Sequence, residues 1–248
     1  MQLTELRDYI ASKLETSRFR DYCPNGMQIE GREEVRRIAS GVTASQRLIE
    51  AATEWGADAI LVHHGYFWRN EDPAISGIKK RRIAHLLHHD ISLLVYHLPL
   101  DAHAELGNNT QLGHRLGWVE QGRFGEQNIA CYGELVQPQP LAQLGLHIEH
   151  NLQRAPQVIG ESDQLVRRIA WCTGAAQSYF EAAISLGVDA FLTGEISEQN
   201  VHIARETGVA FIAAGHHATE RYGVQALGEH LASQYAVEHR FFDLDNPV

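Results

Sequence analysis

Asp58-Ala59-Ile60-Leu61-Val62-His63-His64-Gly65 is the stretch whose reading decides the fold. Ala59 to Val62 form a short apolar run, the pattern of a strand buried on both faces. The run ends in two adjacent histidines and a glycine. In open α/β sheets ligands gather beyond the carboxyl ends of parallel strands, so paired imidazoles at that point are placed for a metal. Two further stretches share the design. Ile91 to Tyr96 runs into His97, with Asp101 four residues on, and Val209 to Ala214 runs into Gly215-His216, with Glu220 four residues after the histidine. A single histidine at a strand end reads as a satisfied polar group. Three strands that each deliver one, two of them followed by a carboxylate, read as a metal site.

Outward from this stretch the chain alternates strand and helix. Val35 to Val42 reads as a strand, Ser45 to Trp55 as a helix stopped by Gly56, and Ala59 onward as the next strand. This is a βαβ unit, expected to be right-handed with parallel strands. Before it, Leu3 to Leu14 has helical apolar spacing, and Asp21 to Gly31 reads as a loop, on the turn signals Pro24, Asn25-Gly26 and Gly31. Tyr66 to Gly77 is an aromatic-rich loop. Tyr66-Phe67-Trp68 there would expose apolar area in a monomer, so a homo-oligomer is expected. Ile78 to His89 suits a helix. Its Lys79-Lys80-Arg81-Arg82 run reads as a solvated face, with contact to a substrate phosphate as the sharper alternative. Pro99 breaks helix, so Asp101 is expected on a loop.

The second half repeats the first. Val35-Arg36-Arg37-Ile38-Ala39 recurs as Val166-Arg167-Arg168-Ile169-Ala170, an offset of 131. At the same offset Ala44, Gln46, Glu50, Gly56, Asp58, Ala59 and Leu61 recur as Ala175, Gln177, Glu181, Gly187, Asp189, Ala190 and Leu192. An internal repeat changes the expected fold: two α/β domains of similar topology, 1–122 with His63, His64 and Asp101, and 123–248 with His216 and Glu220, interlinked, with the metal site between them. Where the first copy reads His63-His64, the second reads Gly194-Glu195. Gly117 to Ala155 reads as connecting and peripheral structure. A helix over 222–233 and a strand over 237–244 close the chain.

Composition bounds the function. The 248 residues carry a net charge of -10, which argues against a generic nucleic-acid surface, and 15 histidines. The three cysteines, Cys23, Cys131 and Cys172, have no metal-finger spacing and fit a reducing compartment. The amino terminus has no signal-peptide pattern and no apolar run approaches membrane-spanning length, so a cytoplasmic protein without membrane contact is expected. No Gly-x-Ser-x-Gly elbow or glycine-rich phosphate loop is present. Imidazole and carboxylate donors suit zinc, iron, manganese or nickel. Four or five such ligands exceed what one catalytic zinc takes, which points to two cations. One difficulty stands: successive strand residues face opposite sides, so His63 and His64 share a centre only if the strand ends there. His216 and Glu220 share a face if helix begins at His216. His97 is the candidate for proton transfer, or else a hydrogen-bond partner that orients a ligand. Glu195, His202 and His217 are weaker candidates, read as caps or surface groups.

The motifs Pro24-Asn25-Gly26-Met27-Gln28, Gly41-Val42-Thr43-Ala44-Ser45, Val62-His63-His64-Gly65, His97-Leu98-Pro99-Leu100-Asp101, Thr193-Gly194-Glu195 and Gly215-His216-His217-Ala218-Thr219-Glu220 together resemble the Nif-three-like family. That family includes homologues of the type-two form of GTP cyclohydrolase I. The resemblance spans nearly the whole chain. It implies a toroidal homohexamer with a dinuclear metal centre in each subunit, two divalent ions of iron, zinc or manganese. Carried over by motif, the ligands are His63, His64, Asp101, His216 and Glu220. The implied activity is hydrolysis of a nucleotide-like substrate, of the cyclohydrolase ring-opening type, with His97 shuttling the proton. The alternative is a non-catalytic metal-binding scaffold or regulatory protein. A connection to DNA repair is also implied for this branch.

Overall fold

The computed structural model describes residues 1–248. In chain order the elements are α1 (Leu3–Lys13), β1 (Gly26–Ile29), β2 (Arg37–Thr43), α2 (Gln46–Trp55), β3 (Ala59–His64), α3 (Gly77–His88), β4 (Ser92–Val95) and α4 (Leu98–Ala102). There follow α5 (Asn108–Leu116), β5 (Trp118–Phe124), β6 (Ala130–Pro140), α6 (Leu141–Leu152), β7 (Gln157–Ile159), β8 (Leu165–Trp171), α7 (Phe180–Ser185) and β9 (Ala190–Thr193). The last are α8 (Glu198–Thr207), β10 (Ala210–Ala213), α9 (His216–Thr219), α10 (Arg221–Gln234) and β11 (Glu238–Phe241). The chain forms two compact units, Met1–Leu106 with Gly223–Asp245, and Gly107–Tyr222 with Asn246–Val248. These differ from the expected 1–122 and 123–248: the chain returns to the first unit for α10 and β11. No helix is long and apolar enough to cross a membrane.

The first unit holds a five-stranded sheet in the order β1-β4-β3-β2-β11, all parallel except β1. Alternation along the strands covers both faces. Ala39, Ile60, Val62, Leu93 and Val95 pack towards Leu48, Ile49 and Ala52 of α2 and Leu86 of α3. The intervening Ile38, Leu61, Leu94 and Tyr96 pack towards Leu6 and Ile10 of α1 and Leu227 and Leu231 of α10. Near-continuous apolar strands are what a doubly covered parallel sheet requires.

The second unit holds a six-stranded sheet, β5-β6-β8-β9-β10-β7. Gly117–Ala155 is therefore not peripheral. It contributes two strands and α6, because Trp118, Cys131 and Leu135 alternate inward to join Leu141, Leu144 and Trp171 in one core. On the other face Phe180 packs edge-on against Phe211, with ring centroids 4.9 Å apart.

The offset of 131 is also an offset of register. Ile38 pairs with Ala59 and Ile169 with Ala190, both parallel. Asp58 Oδ2 accepts hydrogen bonds from the backbone N–H groups of Arg36 and Arg37 at 2.8 and 2.9 Å, and Asp189 Oδ2 accepts from those of Arg167 and Arg168 at 2.9 and 2.8 Å. Each aspartate immediately precedes a strand and ties down the start of its neighbour. The antiparallel edge recurs too: Gly26 pairs with Val95 and Gln157 with Ala213. Beyond β2 and β8 the sheets part company, since β11 joins β2 in parallel and β6 joins β8 antiparallel.

Two expectations change. Asp101 lies in α4, not on a loop: Pro99 occupies the first turn of that helix, where a missing N–H costs nothing. The aromatic loop exposes only part of its rings: Tyr66 is buried, while Phe67 and Trp68 are partly buried against the core of the first unit, which reduces the apolar exposure inferred from them.

Replacing Asp58 by Ala frees two backbone donors and the Arg32 guanidinium bonded at 2.9 Å. Asp58→Ala is expected to destabilise the fold by about 2 kcal/mol, and Asp189→Ala in the same direction. Urea denaturation of each variant reads this, and an unchanged midpoint in both would remove the aspartates from the account.

Candidate metal centre

In the first unit the candidate residues sit where β3 and β4 end. His63 is fully buried. Its Nδ1 lies 3.0 Å from the Tyr96 carbonyl oxygen, which can only accept, so Nδ1 carries the proton and Nε2 the lone pair. That Nε2 is 3.4 Å from Asp101 Oδ1. His64 is the last residue of β3, with Nδ1 3.1 Å from Thr43 Oγ1. Because the strand stops here, the two adjacent rings meet, with centroids 4.6 Å apart. Gly65 is needed for this ending: a Cβ there would overlap the Val95 side chain and the Gln28 amide oxygen that accepts from the Tyr66 N–H.

His97 completes the cluster. Its ring centroid lies 4.9 Å from that of His63 and 5.8 Å from that of His64. Ligand atoms of the three histidines lie within 4.8 Å of one another. His97 Nδ1 donates to Asp21 Oδ1 at 2.7 Å. The other Asp21 oxygen accepts from the Leu98 N–H at 2.9 Å and the Asn25 amide at 2.7 Å, while Asn25 Oδ1 takes the His97 N–H at 2.7 Å. Burial by itself would raise the Asp21 pKa, but the His97 hydrogen bond and charge, with Asn25 and the Tyr22 N–H, hold it down at about 2. Cys23 lies within the same 4.8 Å range of Asp21 and His97. Burial pushes its thiol up to about 12, and both Asp21 oxygens already accept hydrogen bonds.

In the second unit His216 opens α9 and Glu220 follows it. His216 Nδ1 donates to Glu195 Oε1 at 2.6 Å and its Nε2 lies 3.2 Å from Glu220 Oε2. Burial would lower the His216 pKa, but the hydrogen bonds and charges of Glu220 and then Glu195 raise it to about 9. Two carboxylates around one imidazole favour a cation there, whether a proton or a metal. Gly174 has φ +69, and a Cβ on it would overlap the Glu220 carboxylate. Its N–H donates to Thr219 Oγ1 at 3.0 Å, and Thr193 Oγ1 donates to its carbonyl at 3.0 Å. These threonines fix the glycine beside Glu220.

The weaker candidates resolve separately. Glu195, whose side chain is 35% exposed, is the acceptor that orients His216. His202 forms an exposed pair with Glu198 at 2.8 Å. The backbone N–H of His217 donates to the Val248 carbonyl. Lys79 is tied to Glu71 at 2.9 Å and to the Asp72 carbonyl, while Lys80 and Arg81 are exposed. Asp21, Thr193 and Thr219 escaped the sequence reading of function. The available signal was their place inside or beside motifs already quoted: Asp21 stands four residues before Asn25.

A family profile described as "Duf34/NIF3 (NGG1p interacting factor 3)" matches residues 1–247. A Pseudomonas aeruginosa protein named "GTP cyclohydrolase 1 type 2 homolog" is 56% identical over 238 residues, covering 95% of this chain and 94% of its own. A solved structure described as "protein ybgI, unknown function" superposes with a TM-score of 0.96 at 49% identity over 100% of both chains. A Thermus thermophilus protein superposes with a TM-score of 0.90 at 31% identity, again over 100% of both.

Two outcomes follow from the geometry. Glu220→Gln is expected to lower metal content more than Glu195→Gln, whose amide oxygen can still accept from His216 and whose loss in metal affinity should stay within about 10–100-fold. Metal analysis after dialysis decides, and a Glu220→Gln chain as metal-rich as the parent removes Glu220 from the ligand set. The Asp21 pKa is depressed from 3.8 to about 2 in the folded chain. Its contact with His97 therefore adds stability that is present above pH about 4 and is lost as pH falls towards 2. In acid titrations of stability, Asp21→Asn should lack this part of the slope.

Proposed function

This chain belongs to the Duf34/NIF3 family, and from that premise we propose that it is a metal-dependent hydrolase acting on a nucleotide-like substrate. We assign His63, His64, Asp101, His216 and Glu220 as ligands of two divalent ions of iron, zinc or manganese, and His97 as the proton-transfer group. The observation that carries the reading is the anchoring of His63 and His216 through Nδ1, each with Nε2 facing a carboxylate. The donor set fits hard and borderline divalent ions, and the absent Cβ at Gly174 leaves the Glu220 carboxylate room. Divalent cations in such a site supply Lewis-acid polarisation and neutralise an anionic substrate.

The chain's own groups do the rest. Asp101 and Glu220 are each buried with a carboxyl oxygen beside an imidazole Nε2. His97, its Nδ1 proton held by an ionised Asp21, presents Nε2 as the atom that takes a proton from water and returns it to a leaving nitrogen or oxygen. Asp21 does for His97 what the carboxylate partner of a catalytic histidine generally does: it fixes tautomer and orientation. Relatives named as cyclohydrolase homologues support a purine-like ring as the electrophile. We further propose a toroidal homohexamer in the cytoplasm, on the resemblance of the motifs.

The test is a screen of metal-reconstituted protein against guanine nucleotides with chromatographic detection of products. Turnover is expected to vanish in Asp101→Ala and to fall about 100-fold or more in His97→Ala with metal retained. Full metal content without turnover on any nucleotide would sink the hydrolase and leave a metal-binding scaffold.

A further inference from the structure

Tyr22 is half exposed, at 50%. An exposed tyrosine is ordinarily free to move, and this one is braced. Its carbonyl accepts the Arg69 N–H at 2.6 Å. The Arg69 guanidinium lies over its ring, 5.4 Å from the centroid, and donates to the Asp21 carbonyl at 2.8 Å. The ring meets His97 edge-on with centroids 6.4 Å apart. One face of Tyr22 is thus covered by a cation, its backbone is pinned to the residue that orients His97, and its exposed surface adjoins that histidine.

A second aromatic ring stands at the same place. Trp68 meets His97 at 5.0 Å with planes 86° apart and lies 5.9 Å from His64. It is held there against local preference. Phe67 before it and Asn70 after it both have left-handed backbone, φ 63 and 70, a conformation costly for a bulky residue such as Phe67. The surroundings enforce it. The Trp68 N–H donates to Glu71 Oε2 at 3.0 Å, the Trp68 indole to the Gly65 carbonyl at 3.2 Å, and the Lys79 ammonium that binds Glu71 sits over the Phe67 ring. Backbone strain kept in order to hold one indole beside three histidines points to a ligand clamp.

We propose that Tyr22 and Trp68 form the recognition surface for a planar heteroaromatic ring of nucleobase size, with Tyr22 as stacking platform and Trp68 as edge. Aromatic faces bind bases by stacking whatever their hydrogen-bonding pattern. A cation behind the tyrosine ring makes its π-system poorer in electrons and better suited to an electron-rich purine face. Aliphatic sugars and bare phosphates gain nothing from this surface. The inference rests on the reading of the adjacent histidines as the reaction centre, and it specifies which part of the substrate reaches them first.

Calorimetric titration of metal-reconstituted protein with guanosine, and separately with ribose 5-phosphate, tests it. Tyr22→Ala should weaken guanosine binding about tenfold or more, Tyr22→Phe should stay within about twofold, and ribose 5-phosphate should bind each variant as it binds the parent. The platform is overturned if guanosine does not bind the parent, if it binds Tyr22→Ala equally well, if both probes weaken alike, or if Tyr22→Ala changes the sedimentation coefficient, which would make Tyr22 a contact between copies. Metal content of the same samples reads the centre independently. Guanosine held through Tyr22 by a chain that takes up no metal would remove the hydrolase and keep the platform, and full metal without guanosine binding would do the reverse.

Discussion

The candidate groups of each unit depend on one kind of interaction, made three times along the chain: an imidazole Nδ1–H donated to a fixed oxygen. His63 gives its proton to the Tyr96 carbonyl, His97 to Asp21 and His216 to Glu195. A neutral imidazole has one donor and one acceptor nitrogen, so fixing the donor fixes the acceptor and the plane of the ring. The nature of the acceptor then grades the three. A neutral carbonyl leaves His63 an ordinary ligand nitrogen. At His97 the acceptor is the Asp21 carboxylate, which fixes the plane of the ring. At His216 two carboxylates hold positive charge strongly, up to about pH 9 in the absence of a metal.

These acceptors are in place because of where the strands end. In each unit three parallel strands finish near one level, and the turns that leave them carry the functional groups. The repeated aspartate at the other end, Asp58 or Asp189, fixes the register of the first two strands. A one-residue slip would turn every side chain to the opposite face and would carry His63 away from Tyr96. Close-packed glycines complete the ends. Gly65 lets the chain turn under Gln28 after the paired histidines, and Gly174 leaves space for Glu220. The site thus inherits its precision from sheet register and from two positions without a Cβ.

The aromatic surface has a different origin. Nothing in the sheet places Trp68, which stands in a turn with two left-handed non-glycine residues. It is held by side-chain bonds to Glu71 and, through Glu71, to Lys79 of α3. The basic run that a sequence reading offers to a phosphate spends its first lysine on this brace.

By itself, the sequence determined the α/β class, the strands β2, β3 and β4 of the first unit and the correspondence of Ile38 and Ala59 with Ile169 and Ala190, whereas β1 fell in a stretch whose turn signals read as loop. Short apolar runs and an ungapped repeat are local signals, and they survive folding where a strand's neighbour comes from the same repeat, as β3 does for β2 and β9 for β8. It also singled out His63, His64, His97 and His216 as polar groups at the ends of apolar runs, and Asp101 and Glu220 by their spacing of four residues from two of those histidines. Only the tertiary structure decided which nitrogen of each imidazole carries the proton, that Pro99 starts a short helix bearing Asp101, and that Gly117–Ala155 builds strands into the second sheet. It also decided that α10 and β11 return to the first unit and that Asp21 and Glu195 orient histidines 76 and 21 residues away. The reason is physical. A hydrogen-bond acceptor brought close by chain crossing leaves no periodicity in the sequence, and an acidic residue in a loop looks the same whether it faces water or a histidine.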